Sequence, residues 1–281
     1  MRSIDEVISL ALSFFIARFF IPKVLKMLKT GGMMVKNYRG QPVVTSMGLA
    51  FIFPCALSLI PFIISGIELD HMAFLMVISS LALAGFIDDT VGNTAIKGIK
   101  GHVSQFIKGR MSTGVVKLIM AALVGLFVSG YQHKSLIGLG VYVPLFSLLV
   151  NFINLMDLRP GRAIKAFLLI GIVLMISGGF SNLWVVIPIT AALPFYMKGE
   201  MEEKYMLGDA GANLLGGIAG FYAVKSLTLA PAAAMAAILL SIHVVAEYRS
   251  LSRVIESVPP LRFIDQLWRL KTDGDAGMDR A

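Results

Sequence analysis

The sequence predicts an all-α polytopic membrane protein of about nine transmembrane helices, with the N-terminus outside and the C-terminus cytoplasmic. Three observations carry this. Of 281 residues, 57% are hydrophobic and only 15% charged, more apolar surface than a soluble domain of this length can bury. The apolar runs are continuous rather than alternating, which argues against a β-barrel. Lysine and arginine fall on every second loop.

Apolar runs of spanning length lie near 4–27, 47–66, 71–88, 114–131, 139–157, 163–180, 182–198, 211–229 and 231–248. The first follows Asp5 and Glu6, precedes Lys23 and Lys26, and has no small-residue cleavage site, so it reads as a retained span rather than a signal peptide. Arg18, near its basic end, can snorkel to the headgroups. Cys55 is the single cysteine; it excludes an internal disulfide and reads as a packed thiol. Gly178-Gly179 separates the sixth run from the seventh as a tight turn, and Pro231 breaks the eighth from the ninth.

Loops 28–46, 89–113, 158–165, 199–210 and the tail 249–281 hold Lys36, Arg39, Lys97, Lys100, Lys108, Arg110, Arg159, Arg162 and Arg253. The alternate loops hold little beyond Arg2, Lys134 and Lys225, so the first set faces the cytoplasm. The net charge of +8 is therefore concentrated on one face, where it marks topology and can attract anionic lipid or phosphates. No compact basic domain exists to bind nucleic acid.

Three acidic patches end apolar runs on that same face: Asp88-Asp89, Asp157 and Asp209. A carboxylate within a bilayer costs about 2.5–3.5 kcal/mol, so such groups face a partner or a cavity. Asp88 and Asp89 are repelled by the helix C-terminus they follow, and as neighbours they point about 100° apart, which suggests separate jobs. Asn151, Asn154 and Asp157 recur at steps of three along one stripe. Interhelical hydrogen bonding would explain them; a polar ligand, with the amides reading a uracil or sugar edge, is the alternative. In Gly208-Asp209-Ala-Gly211 the missing side chains let a phosphate approach a helix N-terminus, with Asp209 placed to hold Mg²⁺. Gly216, Gly217 and Gly220 read as packing glycines. Arg39, Lys97, Lys100, Arg159 and Arg162 are candidate phosphate contacts, though each also suits an ordinary cytoplasmic loop.

Three motifs, Gly85-Phe-Ile-Asp88-Asp89, Asn151-x-x-Asn154-x-x-Asp157 and Gly208-Asp209-x-Gly211-x-x-x-Leu215-Gly216, occur in this order with a looser fourth at 41–49. On these the chain resembles, over residues 1–248, the polyprenyl-phosphate N-acetylhexosamine-1-phosphate transferases of glycosyltransferase family 4. That family includes phospho-MurNAc-pentapeptide translocase and the UDP-GlcNAc:undecaprenyl-phosphate GlcNAc-1-phosphate transferases. The resemblance implies transfer of a phospho-N-acetylhexosamine from a UDP-sugar to polyprenyl (undecaprenyl) phosphate, with release of UMP, in cell-envelope polymer synthesis. It implies Mg²⁺, with Mn²⁺ as the alternative, held by Asp209 and Asp88, and catalytic roles for Asp88, Asp89 and Asp209. Thr45, Asn151, Asn154, Asp157, Arg159, Arg162, Gly208 and Gly211 would bind substrate. The expected partners are the UDP-N-acetylhexosamine, polyprenyl phosphate, membrane lipid and a second copy in a homodimer, at the plasma membrane.

The chain departs from the family pattern in several places. Asp157 is followed by Leu158-Arg-Pro-Gly-Arg162 where the family has Asp-Gly, and a histidine cluster and a tenth span are missing. Arg39 and Gly40 stand near the position of the usual first-loop lysine. The tail 249–271, with Pro259-Pro260, Arg253, Arg262, Arg269 and Trp268, reads as short interfacial helices, and 272–281 as disordered. Two other readings compete with an active transferase. A catalytically lapsed paralogue would bind the same ligands as a regulator or scaffold. An ion-coupled transporter would place its acids near the bilayer midplane.

Overall fold

The computed structural model describes residues 2–92, 107–109 and 111–267, apart from the side chains of 2 and 3. Lys97, Lys100, Arg110, Trp268, Arg269 and the segment 272–281 lie outside the described residues. The fold is almost wholly helical. Helix α1 (Arg2–Thr30) is followed by a short antiparallel hairpin, β1 (Met34–Lys36) and β2 (Pro42–Val44), paired Met34 to Val44 and Lys36 to Pro42. The hairpin falls in a segment expected only as loop. Asn37 closes its turn, its Oδ1 accepting the N–H groups of Arg39 and Gln41 at 2.9 Å, with Gly40 at φ +76°.

The second expected span is broken into a 3-10 turn (Met47–Phe51), α2 (Ile52–Leu57) and α3 (Ile60–Gly66). Pro54 and Pro61 remove the backbone donors that a continuous helix needs. Then come α4 (Leu69–Val91), α5 (Thr113–Gln132), α6 (Leu136–Met156), α7 (Arg162–Gly178), α8 (Ile187–Met201), α9 (Gly208–Ser226) and α10 (Leu229–Tyr248). Two short helices end the described chain, α11 (Leu251–Ser257) and α12 (Pro259–Gln266).

Six stretches among the described residues are long and apolar enough to cross a membrane: Ile4–Thr30, Met47–Gly66, Leu69–Val91, Thr113–Gln132, Leu136–Met156 and Leu229–Tyr248. Helices α7, α8 and α9 do not join them, and α7 and α8 have only 17 and 15 residues.

Helix α9 is the hub. Its residues from Ala210 to Val224 are all buried, and it packs against α4, α5, α6, α7 and the 3-10 turn. Small residues make this centrality sterically feasible. A Cβ at Gly216 would strike the Val150 backbone, one at Gly217 the Leu81 side chain, and one at Gly220 the Phe146 ring. At the far end of the bundle, Asp70 of α4 binds Lys225 of α9 and accepts hydrogen bonds from Tyr131 Oη at 3.0 Å and Gln132 Nε2 at 2.8 Å. The opposite end carries the sequence-predicted acids.

Candidate functional site

The first turn of α9 is closed by acids from other helices. Asp89, in the last turn of α4, accepts hydrogen bonds from Asp209 N at 3.0 Å, Ala210 N at 3.1 Å and Ser46 Oγ at 2.7 Å. Asp157, one residue past the end of α6, accepts from the backbone N–H of Gly208. A helix N-terminus presents unsatisfied donors and partial positive charge, and here two carboxylates satisfy both. The expected phosphate at this position is thus replaced by the protein's own side chains. Asp89, expected in a catalytic role, has both carboxylate oxygens engaged in capping this turn.

Gly208 and Gly211 serve close approach rather than ligand access. Gly208 sits at φ +72°, and a Cβ there would meet Ser46 N and Asp89 Oδ2. A Cβ at Gly211 would strike Gly48 and the Leu207 side chain. The segment 44–48 is zipped to 205–207 by Met206 N donating to the Val44 carbonyl at 2.8 Å and Gly48 N to the Leu207 carbonyl at 2.9 Å. Ser46 takes the left-handed conformation, φ 59°, as it turns its hydroxyl to Asp89. Thr45, expected at the substrate, is only 4% exposed inside this zipper.

Asp88 and Asp209 converge. Lys117, five residues into α5, places its ammonium between them, in an ion pair with Asp88 and 3.0 Å from Asp209 Oδ2. Both acids are thereby directed at one cation position. Among the described residues, no group of three or more His, Cys, Asp or Glu side chains is arranged to hold a metal ion. Two carboxylates with substrate phosphate oxygens nonetheless make a suitable donor set for Mg²⁺, provided the ammonium gives way. Sequence reasoning overlooked Lys117. The available signal was its isolation, since it is the single charged residue of α5.

Asp157, at the end of the α6 stripe, borders the same region. Asn154 Oδ1 is buried with no partner among the described residues, as is Asn213 Nδ2 on α9, whose residue is 2% exposed. Scarcity of solvent pushes the Asp157 carboxyl well above the ordinary range, and Glu200, Asp209 and Asp89 push it further. Acids outnumber cations here.

Of the two arginines of the 158–162 turn, Arg162 is placed differently from expectation. Arg162 is 5% exposed and forks onto Asp265 of α12, Nε to Oδ1 at 2.7 Å and Nη2 to Oδ2 at 3.0 Å. It is therefore a structural anchor rather than a free phosphate ligand. Arg159 is partly exposed, with its guanidinium 4.4 Å from the Tyr38 ring centroid and 3.5 Å from Glu256. Arg39 stacks on the same ring and lies 3.4 Å from Glu203. No family model matches the sequence, and no curated protein matches it.

Proposed function

We propose that the protein transfers a phospho-N-acetylhexosamine from a UDP-sugar to polyprenyl phosphate at the cytoplasmic face of the plasma membrane, supplying cell-envelope polymer synthesis. The supporting observation is that Asp88 and Asp209, 121 positions apart in sequence by their numbers, are directed at a single cation position in the cluster that includes Asp157. In this reading nine spans cross the bilayer, with α7, α8 and α9 completing the six more apolar ones, and the acid cluster faces the cytoplasm.

A lipid phosphate oxygen attacks the β-phosphorus of the UDP-sugar. The bond from that phosphorus to the bridging oxygen breaks, and UMP leaves with the electron pair. Asp209 and Asp88 would hold Mg²⁺, which supplies neutralisation of the diphosphate charge. Asn151 and Asn154 orient the nucleotide sugar through their amides. Asp89 and Asp157 act at one remove, fixing the first turn of α9 so that Asp209 is held in register. A lipid phosphate is largely ionised at neutral pH, so no strong base is required.

Purified protein given Mg²⁺, undecaprenyl phosphate and a panel of labelled UDP-sugars should form a lipid-linked product and UMP. Asp209→Asn and Asp88→Asn should abolish it, and a wild-type protein inactive on the whole panel would sink the enzyme reading. Lys117 between the two acids also suits a lapsed, ligand-binding paralogue. That paralogue would bind the UDP-sugar without turnover.

A further inference from the structure

The turn joining α6 to α7 carries Asp157, and it is gripped from several sides. At its inner end, Gly161 stands at φ +69° and donates its N–H to Glu200 Oε1 at 2.7 Å; Glu200, on α8, is 1% exposed. At its outer end, Arg162 forks onto Asp265 and also donates from Nη1 to Ser252 Oγ at 2.9 Å. One helical turn further on, Lys165 donates to the carbonyls of Ile264, Asp265 and Leu267 at 3.1, 2.6 and 3.0 Å. Glu256 of α11 reaches the remaining arginine of the turn, Arg159. Both guanidinium groups of the turn are thus met by acids of the C-terminal segment.

These polar contacts act beside the apolar packing of Leu251 and Ile255 on the core. Beneath α11 and α12 lies a cavity of about 450 Å³, lined by apolar side chains that include Phe152, Leu169, Val254, Leu261 and Ile264. A buried, bidentate pair with its other protons satisfied resists separation, because removing one partner strands a charge. The exposed Arg159–Glu256 pair contributes little by comparison.

We propose that α11 and α12 form a clamp on the turn 157–162, and that Asp265 is a positioning residue that sets Arg159 for the nucleotide sugar. The ligand assignment rests on the function proposed above; the clamp itself does not. The sequence supports a clean probe of it. Leu158, within the turn, is 52% exposed, while Cys55, the single native cysteine, is fully buried.

A nitroxide on Leu158→Cys should give a broadened, immobilised spectrum in the full-length protein in detergent. Adding Asp265→Asn should sharpen it, and Asp265→Glu, which keeps the charge, should return most of the broadening. Where Asp265→Asn does not fold, Ser252→Ala removes the Nη1 contact alone and should give a smaller sharpening. An unchanged line shape in Asp265→Asn would overturn the clamp. In the transferase assay, Asp265→Asn should raise KM for the UDP-sugar by about 10- to 100-fold, the scale of an ångström-sized misplacement. Its kcat and its KM for lipid phosphate should hold. A loosened turn with an unchanged KM would overturn the positioning role, and a parent protein with no transferase activity would sink the enzyme reading while the spectra still decide the clamp.

Discussion

Asp89 accepts from Ser46 Oγ and from two backbone N–H groups, so each of its oxygens already faces a fixed donor. Asp89→Asn would turn an NH₂ towards one of those donors and leave it unsatisfied. A loss of about 1–3 kcal/mol is expected, read as a lower unfolding midpoint in detergent. Asp88 contributes instead to the cation position. Replacing Lys117 with Met should leave Asp88 and Asp209 facing each other without a counter-charge. Mg²⁺ should then raise the midpoint more in Lys117→Met than in wild type, because binding to the folded state alone stabilises it. A midpoint indifferent to Mg²⁺ in both proteins would remove the cation site. The acids themselves were legible as costly groups at the ends of apolar runs. Their division of labour was not, because an N-cap is ordinarily supplied by the residue before the helix, and that residue is Leu207. Nor could sequence pair Arg162 with Asp265, which lies 103 residues away.

Helix α9 is buried along most of its length because its glycines admit neighbouring backbones. Gly48→Ala would drive a Cβ into the Gly211 backbone, and overpacking of that kind costs about 1–3 kcal/mol. Gly140, within α6, has nothing within 4 Å of an added Cβ, so Gly140→Ala should be stabilising by about 0.5–1 kcal/mol. Thermal unfolding of the two variants should move in opposite directions. Continuous apolar runs made most helices readable, and their ends were placed within a few residues. Residues 47–66 were harder: hydropathy sees one run, while Pro54 and Pro61 divide it into a 3-10 turn and two short helices. The hairpin Met34–Val44 was missed because three-residue strands carry almost no periodicity.

The whole molecule separates two polar clusters. One centres on Asp88, Asp89, Asp157 and Asp209, the other on Asp70 and Lys225. With the proposed orientation, a membrane-impermeant maleimide applied to intact cells should label Leu136→Cys, which is 88% exposed beside the Asp70 cluster, and spare Leu158→Cys. Cys55 is buried and should stay silent in both. The reverse pattern would invert the orientation. That the acids share one end of the bundle was readable from the order of apolar runs and loops, whereas the depth of α9 in the bundle was not, since its pattern of small residues records neighbours that sequence alone does not identify.

The capping of α9 by Asp89 also constrains how the chain is made. Asp89 emerges 120 residues before the N–H group of Asp209 that it binds. At about 5–20 residues per second, that is roughly 6–24 s of synthesis during which the acid has no partner. An acid at a helix end can spend that interval hydrated at the membrane surface, where an acid at mid-helix would have to enter lipid uncompensated. The position of these carboxylates thus suits the nascent chain as well as the finished one.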